Sequence, residues 1–255
     1  MSSFTLLDHP LITNRYFFPR REAPKQPYYI DIEGGQLACA YFEAAPEAVT
    51  VIHFHGNGEV AADWADGFEQ FILDCGCNLL LAEFRGYGGS DGEPELGKML
   101  ADVPIIIESL GKPTDHMVVF GRSVGSIFAL EAVKHFPNLR GLILESGIAD
   151  VRERLLMRVS PAELGISPGD FDHILDVTLN HQTKLAGYSG PLLVLHARHD
   201  SLVDVSHAER LYSWGQGPKK QMIFPKGDHN DILFANLDEY LAAVRNFLQE
   251  VQTPS

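Results

Sequence analysis

Three side chains of this sequence are placed to do nucleophilic chemistry, and each comes directly after a short apolar run. Ser123 lies in Gly121-Arg122-Ser123-Val124-Gly125, with Met117-Val-Val-Phe120 before it and a helical pattern after it. The arrangement is a G-x-S-x-G elbow, in which a strand turns into a helix with no intervening loop. Such a turn brings the backbone of both flanking positions together, and glycine, lacking a Cβ, leaves the room. Ser123 is then held at the apex, and the N–H of Val124, in the first helical turn, can face a developing oxyanion. A serine hydroxyl is a poor nucleophile until a base takes its proton, and that base must itself be held by an acceptor. Asp200 follows Leu193-Val-Leu-His-Ala-Arg-His199, and His229 follows Met222-Ile-Phe-Pro-Lys-Gly-Asp228. If these runs are parallel strands, all three side chains lie beyond the carboxyl ends of one sheet. His55-Gly-Asn-Gly-Glu59 follows a further apolar run, and Asn57 is the residue expected to supply the second oxyanion N–H.

Each assignment has a rival. Asp204 competes with Asp200 but suits the N-cap of the helix that follows it. His196, His199 and His207 compete with His229; His196 ends a strand and suits the core, and the other two fall in loop or early helix. His55 reads as a structural hydrogen-bonding residue. Asp228, His229 and Asp231 fit no common zinc spacing, so no metal site is expected. The glycine-dense loop Phe84–Gly92 lacks the Lys-Ser/Thr of a phosphate cradle and reads as a tight connection, so no cofactor is expected either.

The elements that must position these residues are legible as two grammars. Tyr28–Glu33 and Gln36–Glu43 are β-rich runs split by Gly34-Gly35, which predicts an antiparallel hairpin. From Val49 onward, strand-sized runs buried on both faces alternate with helical patterns: 49–54, 78–83, 117–120, 141–144, 191–196 and 221–224. One helix is expected to carry Trp64, Phe68, Phe71 and Ile72, with Gly76 capping it. Another carries Met99 to Leu110 with Pro104 inside, which predicts a kink or a late start. The last carries Leu237, Tyr240, Leu241, Val244, Phe247 and Leu248 on one stripe. The fold class is therefore α/β: one domain over 1–255 with a mostly parallel central sheet, an N-terminal antiparallel hairpin and helices on both faces. Residues 146–189 are too long for a plain connection and predict a small lid.

Composition narrows the partners. With 20 basic against 34 acidic residues, the formal charge of −14 repels phosphate backbones, so nucleic acid is not an expected partner. No apolar run is long enough to span a bilayer, and the N-terminus lacks the basic and apolar regions of a secretory signal, so a cytoplasmic home is expected. The three cysteines, Cys39, Cys75 and Cys77, read as buried free thiols. Oligomeric state has no signal in the sequence.

With these residues in view, the chain resembles the α/β-hydrolase superfamily from about Tyr16 to Leu248. Its closer similarity is to small-lid serine hydrolases grouped with serine aminopeptidase-like and acyl-protein-thioesterase-like members. The motifs that carry it are Phe17-Phe-Pro-Arg20, His55-Gly-Asn57, Phe84-Arg-Gly-Tyr-Gly-Gly-Ser90, Gly121-Arg-Ser-Val-Gly125, Glu145-Ser146 and Gly227-Asp-His-Asn-Asp231. The resemblance implies nucleophile, acid and base at Ser123, Asp200 and His229, with no cofactor. It implies a small-molecule carboxylic ester or thioester as substrate, cleaved through an acyl-enzyme. Amide or peptide hydrolysis, or a catalytically silent binding scaffold, are the alternatives. The chain departs from the family at Asp228, where a small residue is usual; a carboxylate beside the imidazole of His229 would raise its pKa. In the lid, Arg152, Glu153, Arg154 and Arg158 are expected to face solvent and Leu155, Leu156, Val159, Phe171, Ile174 and Leu175 to face inward. Leu156 and Phe171 would then wall an acyl site, and each methylene buried there contributes about 0.8 kcal/mol. On that basis kcat/KM should rise from acetyl to roughly butyryl or hexanoyl esters.

Overall fold

The computed structural model describes residues 6–253. Its centre is an eight-stranded sheet in the order β1-β2-β4-β3-β5-β6-β7-β8. Strands β1 (Tyr28–Ile32) and β2 (Gly35–Phe42) form the expected antiparallel hairpin, with Ile30 opposite Leu37. β2 also runs antiparallel to β4 (Asn78–Ala82). From there β3 (Thr50–Phe54), β5 (Met117–Arg122), β6 (Gly141–Glu145), β7 (Leu192–Ala197) and β8 (Lys219–Phe224) continue in parallel. Every residue of β3 to β7 is buried, which is why these strands read as unbroken apolar runs. Successive side chains still point to opposite faces. Ile52, Leu80 and Val119 pack into one core, and Val51, Leu79 and Val118 into a second on the other face.

The helices follow their apolar stripes with three departures. The stripe from Trp64 to Ile72 is two helices, α2 (Ala61–Trp64) and α3 (Phe68–Asp74), parted at Gly67, whose φ of 96° lies outside the helical region. The four-residue spacing survives the break: the rings of Trp64 and Phe68 meet edge-on at 4.9 Å, and both pack on His53. Helix α4 (Leu96–Glu108) starts ahead of Pro104 and runs through it, so the late start expected there does not occur. In α11 (Leu237–Gln252), Tyr240, Val244, Phe247 and Leu248 are buried as the stripe demands, but Leu237 is 47% exposed.

The remaining helices precede the sheet, connect its later strands or follow the last one. Before the sheet comes α1 (Pro10–Tyr16), and after β5 comes α5 (Gly125–His135). The insertion after β6 holds α6 (Val151–Leu155), α7 (Pro168–Thr178) and α8 (His181–Ala186). Each is started by a side-chain cap, from Asp150, Ser167 and Asn180, that accepts an otherwise unpaired N–H of the first turn. Helices α9 (Val205–Trp214) and α10 (Ile232–Ala235) flank β8. Among the described residues no helix is long and apolar enough to cross a membrane. All three cysteines are free, and burial pushes the thiols of Cys39 and Cys77 up to about 12, which holds them as inert neutral thiols.

Candidate active site

The elbow between β5 and α5 forces Ser123 into the left-handed region at φ 52°, where a side chain costs about 1–3 kcal/mol. The surroundings impose it. A Cβ on Gly125 would lie 2.0 Å from the Phe54 carbonyl oxygen, and one on Gly121 would lie 2.6 Å from the Cβ of Ala129. Those contacts show how closely α5 is pressed onto β3 and β5, and why both flanking positions are glycine. The Ser123 N–H donates to the Glu145 carbonyl at 2.8 Å, while its own carbonyl accepts from the Ser126 N–H and hydroxyl. The hydroxyl of Ser123 is thereby aimed outward from a rigid turn.

The loops after β7 and β8 bring the other two residues to it. Nε2 of His229 lies 2.8 Å from Ser123 Oγ, and Nδ1 lies 2.8 Å from Asp200 Oδ2. The second oxygen of Asp200 accepts the N–H groups of Leu202 and Val203. Burial opposes ionisation of Asp200, but the His229 hydrogen bond and charge, with help from Val203, outweigh it and hold the carboxyl below its usual range. An ionised Asp200 fixes the imidazole with its proton on Nδ1 and a free lone pair on Nε2 facing the serine.

The rivals are occupied elsewhere. Asp204 caps α9 by accepting the Ser206 N–H at 2.9 Å. His196 is buried and donates from Nε2 to the Val203 carbonyl. His199 is exposed, and Nδ1 of His207 accepts the Ala149 N–H. Asp228 bonds the N–H and hydroxyl of Ser201 and the backbone N–H of His229, so its carboxylate ties the acid loop to the base loop.

Asn57 sits across the pocket from the elbow. Its side chain is fixed by the Tyr16 carbonyl, the Phe18 N–H and the Tyr87 hydroxyl. The backbone N–H groups of Asn57 and Val124 have no hydrogen-bond partner among the described residues. Beneath them lies His55, buried between the Glu83 carboxylate at 2.7 Å and the Gly56 carbonyl at 2.8 Å. Burial alone would lower its pKa; the Glu83 carboxylate outweighs that and raises it. Glu83 also accepts the N–H groups of Ala61 and Phe84, so this pair fixes the path of the loop that carries Asn57.

Sequence reasoning missed the residue beside Ser123. Arg122 is buried, and its guanidinium donates to Glu59, to Glu145 and, at 2.9 Å, to the carbonyl oxygen of His229. Glu59 accepts the Gly56 N–H, and Glu145 accepts the Tyr240 hydroxyl. One side chain thus joins the Asn57 loop, the elbow, β6 and the His229 loop. The signal available was that Glu59, Arg122 and Glu145 each stand within a motif quoted above, at the end of a strand or in the loop after one.

The pocket over Ser123, about 190 Å³, corrects the reading of the insertion. Neither Leu156 nor Phe171 lines it. Leu156 is 47% exposed, against the inward orientation expected of it, because it follows α6 on the solvent side of Leu155; Phe171 is buried in the core. Tyr16, Phe18, Ile148, Leu202 and Val203 supply the apolar wall; Arg154, half-buried, and Arg158, exposed as expected, supply the polar one.

The family model described as "Serine aminopeptidase, S33" matches residues 45–168, the stretch from the end of the hairpin through the elbow to the insertion. Among curated proteins, YfhR of Salmonella typhi is 29% identical over 86% of this chain and 77% of its own length. Human alpha/beta hydrolase domain-containing protein 17B is 22% identical over 86% and 73%. Among solved structures, Est1E of Butyrivibrio proteoclasticus with ferulic acid bound superposes with a TM-score of 0.73 at 19% identity, over 88% of this chain and 98% of that one. Pyrococcus furiosus esterase Pf2001 superposes at 0.68 and 17%, over 91% and 96%. The chain has the α/β-hydrolase fold.

Proposed function

We propose that the protein is a serine hydrolase that cleaves carboxylic esters or thioesters through an acyl-enzyme. The observation that carries this reading is the unbroken line of hydrogen bonds Ser123–His229–Asp200, with two unpartnered amides beside the serine. In the first half-reaction Ser123 Oγ attacks the acyl carbon as its proton passes to His229 Nε2. The oxyanion formed is held by the N–H groups of Val124 and Asn57, each contributing on the order of 10²–10³ in rate. Collapse expels the alcohol or thiol, which takes the proton from His229. Water repeats the sequence on the acyl-enzyme, releasing the acid and restoring the serine. Asp200 stabilises the imidazolium in both halves without itself taking the proton.

The family model's name favours a second reading, aminopeptidase action. Such an enzyme must neutralise a substrate ammonium, and none of the described residues lining the pocket is acidic. That absence favours the ester reading. The test is covalent labelling by a fluorophosphonate probe together with a panel of p-nitrophenyl esters and aminoacyl p-nitroanilides. Labelling at Ser123 with ester turnover is expected. A protein that is folded, unlabelled and inactive on every ester would be a silent scaffold instead.

A further inference from the structure

Resting on that reading of Ser123, we propose that the substrate carries a carboxylate, recognised by Arg154 and Arg158 of the insertion. Both guanidinia line the pocket that holds Ser123, Asn57 and His229. Pairing and place together single them out: among the described residues Arg21, Arg140, Arg198 and Arg245 also lack a carboxylate partner but do not line the pocket, and Arg122, which does, is paired with Glu59 and Glu145. Arg152, two positions away, is paired with Asp172 and Asp176 at 2.8 and 2.9 Å; Arg15 is paired with Glu163, and Arg210 with Glu153. In a chain with 34 acidic residues, Arg154 and Arg158 have no carboxylate partner among the described residues.

Their positions are fixed without using up their charge. Arg154 spends one amino group on the Leu202 carbonyl at 2.5 Å, leaving the rest of its fork free. Arg158 lies over the Phe18 ring at 5.4 Å from its centroid, and its backbone carbonyl is held by Arg15. Tyr16 lines the same pocket, and burial pushes its hydroxyl up to about 12, so it is neutral. Two arginines on the lining of one small pocket offer the planar forks that bind a carboxylate bidentately. The overall charge of −14 does not cancel this, because charges beyond a Debye length of about 8 Å are screened at physiological salt. Recognition should therefore appear at contact range, in KM more than in encounter.

The experiment uses matched pairs that differ in charge alone. The p-nitrophenyl monoester of glutaric acid against p-nitrophenyl pentanoate places the anion on the acyl side. 4-Acetoxybenzoate against its methyl ester places it on the leaving group. The expected result is a preference of about tenfold or more in kcat/KM for the anionic member of one pair, and the pair that shows it identifies the side. Arg154→Gln and Arg158→Gln together should abolish that preference, raising KM for the anionic ester at least tenfold more than for its neutral partner. Arg158→Lys should retain part of it. Equal kcat/KM within both pairs, in a protein that is labelled at Ser123 and turns over neutral esters, would overturn this inference and leave the hydrolase reading standing. Absence of labelling and of all ester turnover would overturn both.

Discussion

Arg122 and Ser123 are neighbours in sequence with opposite lives. Ser123 is turned outward by a left-handed backbone onto a pocket and joins a line of three side chains that ends at Asp200. Arg122 is turned inward into a buried cluster with two carboxylates, a tyrosine and a backbone carbonyl. The two networks meet at His229, whose ring belongs to the first and whose carbonyl belongs to the second. The first has a hydroxyl at the lining of a pocket, hydrogen-bonded to the imidazole, and two amides without a partner among the described residues. The second spends Arg122's three nitrogens on protein acceptors. The contrast separates chemistry from support: a site is rigid because one network is satisfied, and reactive because the other is not.

That division is broken most sharply at the serine. Ser123→Ala should lose fluorophosphonate labelling and on the order of 10⁶ in kcat, and a Ser123→Ala/His229→Ala double variant should be little worse, since such residues act as a unit. Both proteins should melt at the parent temperature within a few degrees. Multiplying losses, or burst kinetics retained in Ser123→Ala, would contradict the shared mechanism. Next in size is Asp200→Asn, expected to cost about 10⁴ in turnover by releasing the imidazole into the wrong tautomer. Asp204→Asn, at a helix cap where Asn serves as well as Asp, should leave turnover unchanged. Reversal of those two outcomes would make Asp204 the acid.

The supporting network should respond in the other currency. Arg122→Met leaves Glu145 buried with its carboxyl already pushed upward by burial, and removes the cation that opposes that shift. Breaking a buried pair from one side costs about 3–5 kcal/mol, so urea unfolding should show a loss of that order, with a fall in turnover through the freed His229 loop. A variant with wild-type stability would mean that the cluster is merely packed around the site and does not hold it.

Legibility in the sequence followed the same line. The strand order of motifs, the hairpin and the elbow were readable because each depends on local chemistry: alternation, glycine at a close approach, or an apolar run buried on both faces. Trp64 and Phe68 were read onto one face correctly but onto one helix wrongly, because a glycine at positive φ can break a helix without disturbing the i, i+4 spacing across it. Arg122 was quoted within a motif without a role. Its partners Glu59 and Glu145 are 63 and 23 positions away, and no local pattern encodes a contact made across three loops. In the insertion, periodicity reported which residues are apolar but not where the segment's faces point. A helix as short as α6 has room for only one inward turn, so Leu155 and Leu156 differ completely in burial.

The insertion therefore supplies the smallest expected effect and a direct check on the corrected pocket. Leu156→Ser changes a residue that is 47% exposed and does not line the pocket over Ser123. Stability should move by no more than about 0.5 kcal/mol, as for surface positions generally, and the profile of kcat/KM against acyl length should not move at all. Phe171→Ala, at a position 1% exposed, is its counterpart within the same segment. It should cost about 3–5 kcal/mol through the cavity it leaves, again with the profile unchanged in whatever protein remains folded. Under the proposed reading the wall that would limit acyl length is Tyr16, Phe18, Ile148, Leu202 and Val203, none of which these variants touch. A shifted chain-length optimum in Leu156→Ser, at unaltered stability, would return the proposed acyl site to Leu156 and with it the apolar lid that the sequence pattern predicts.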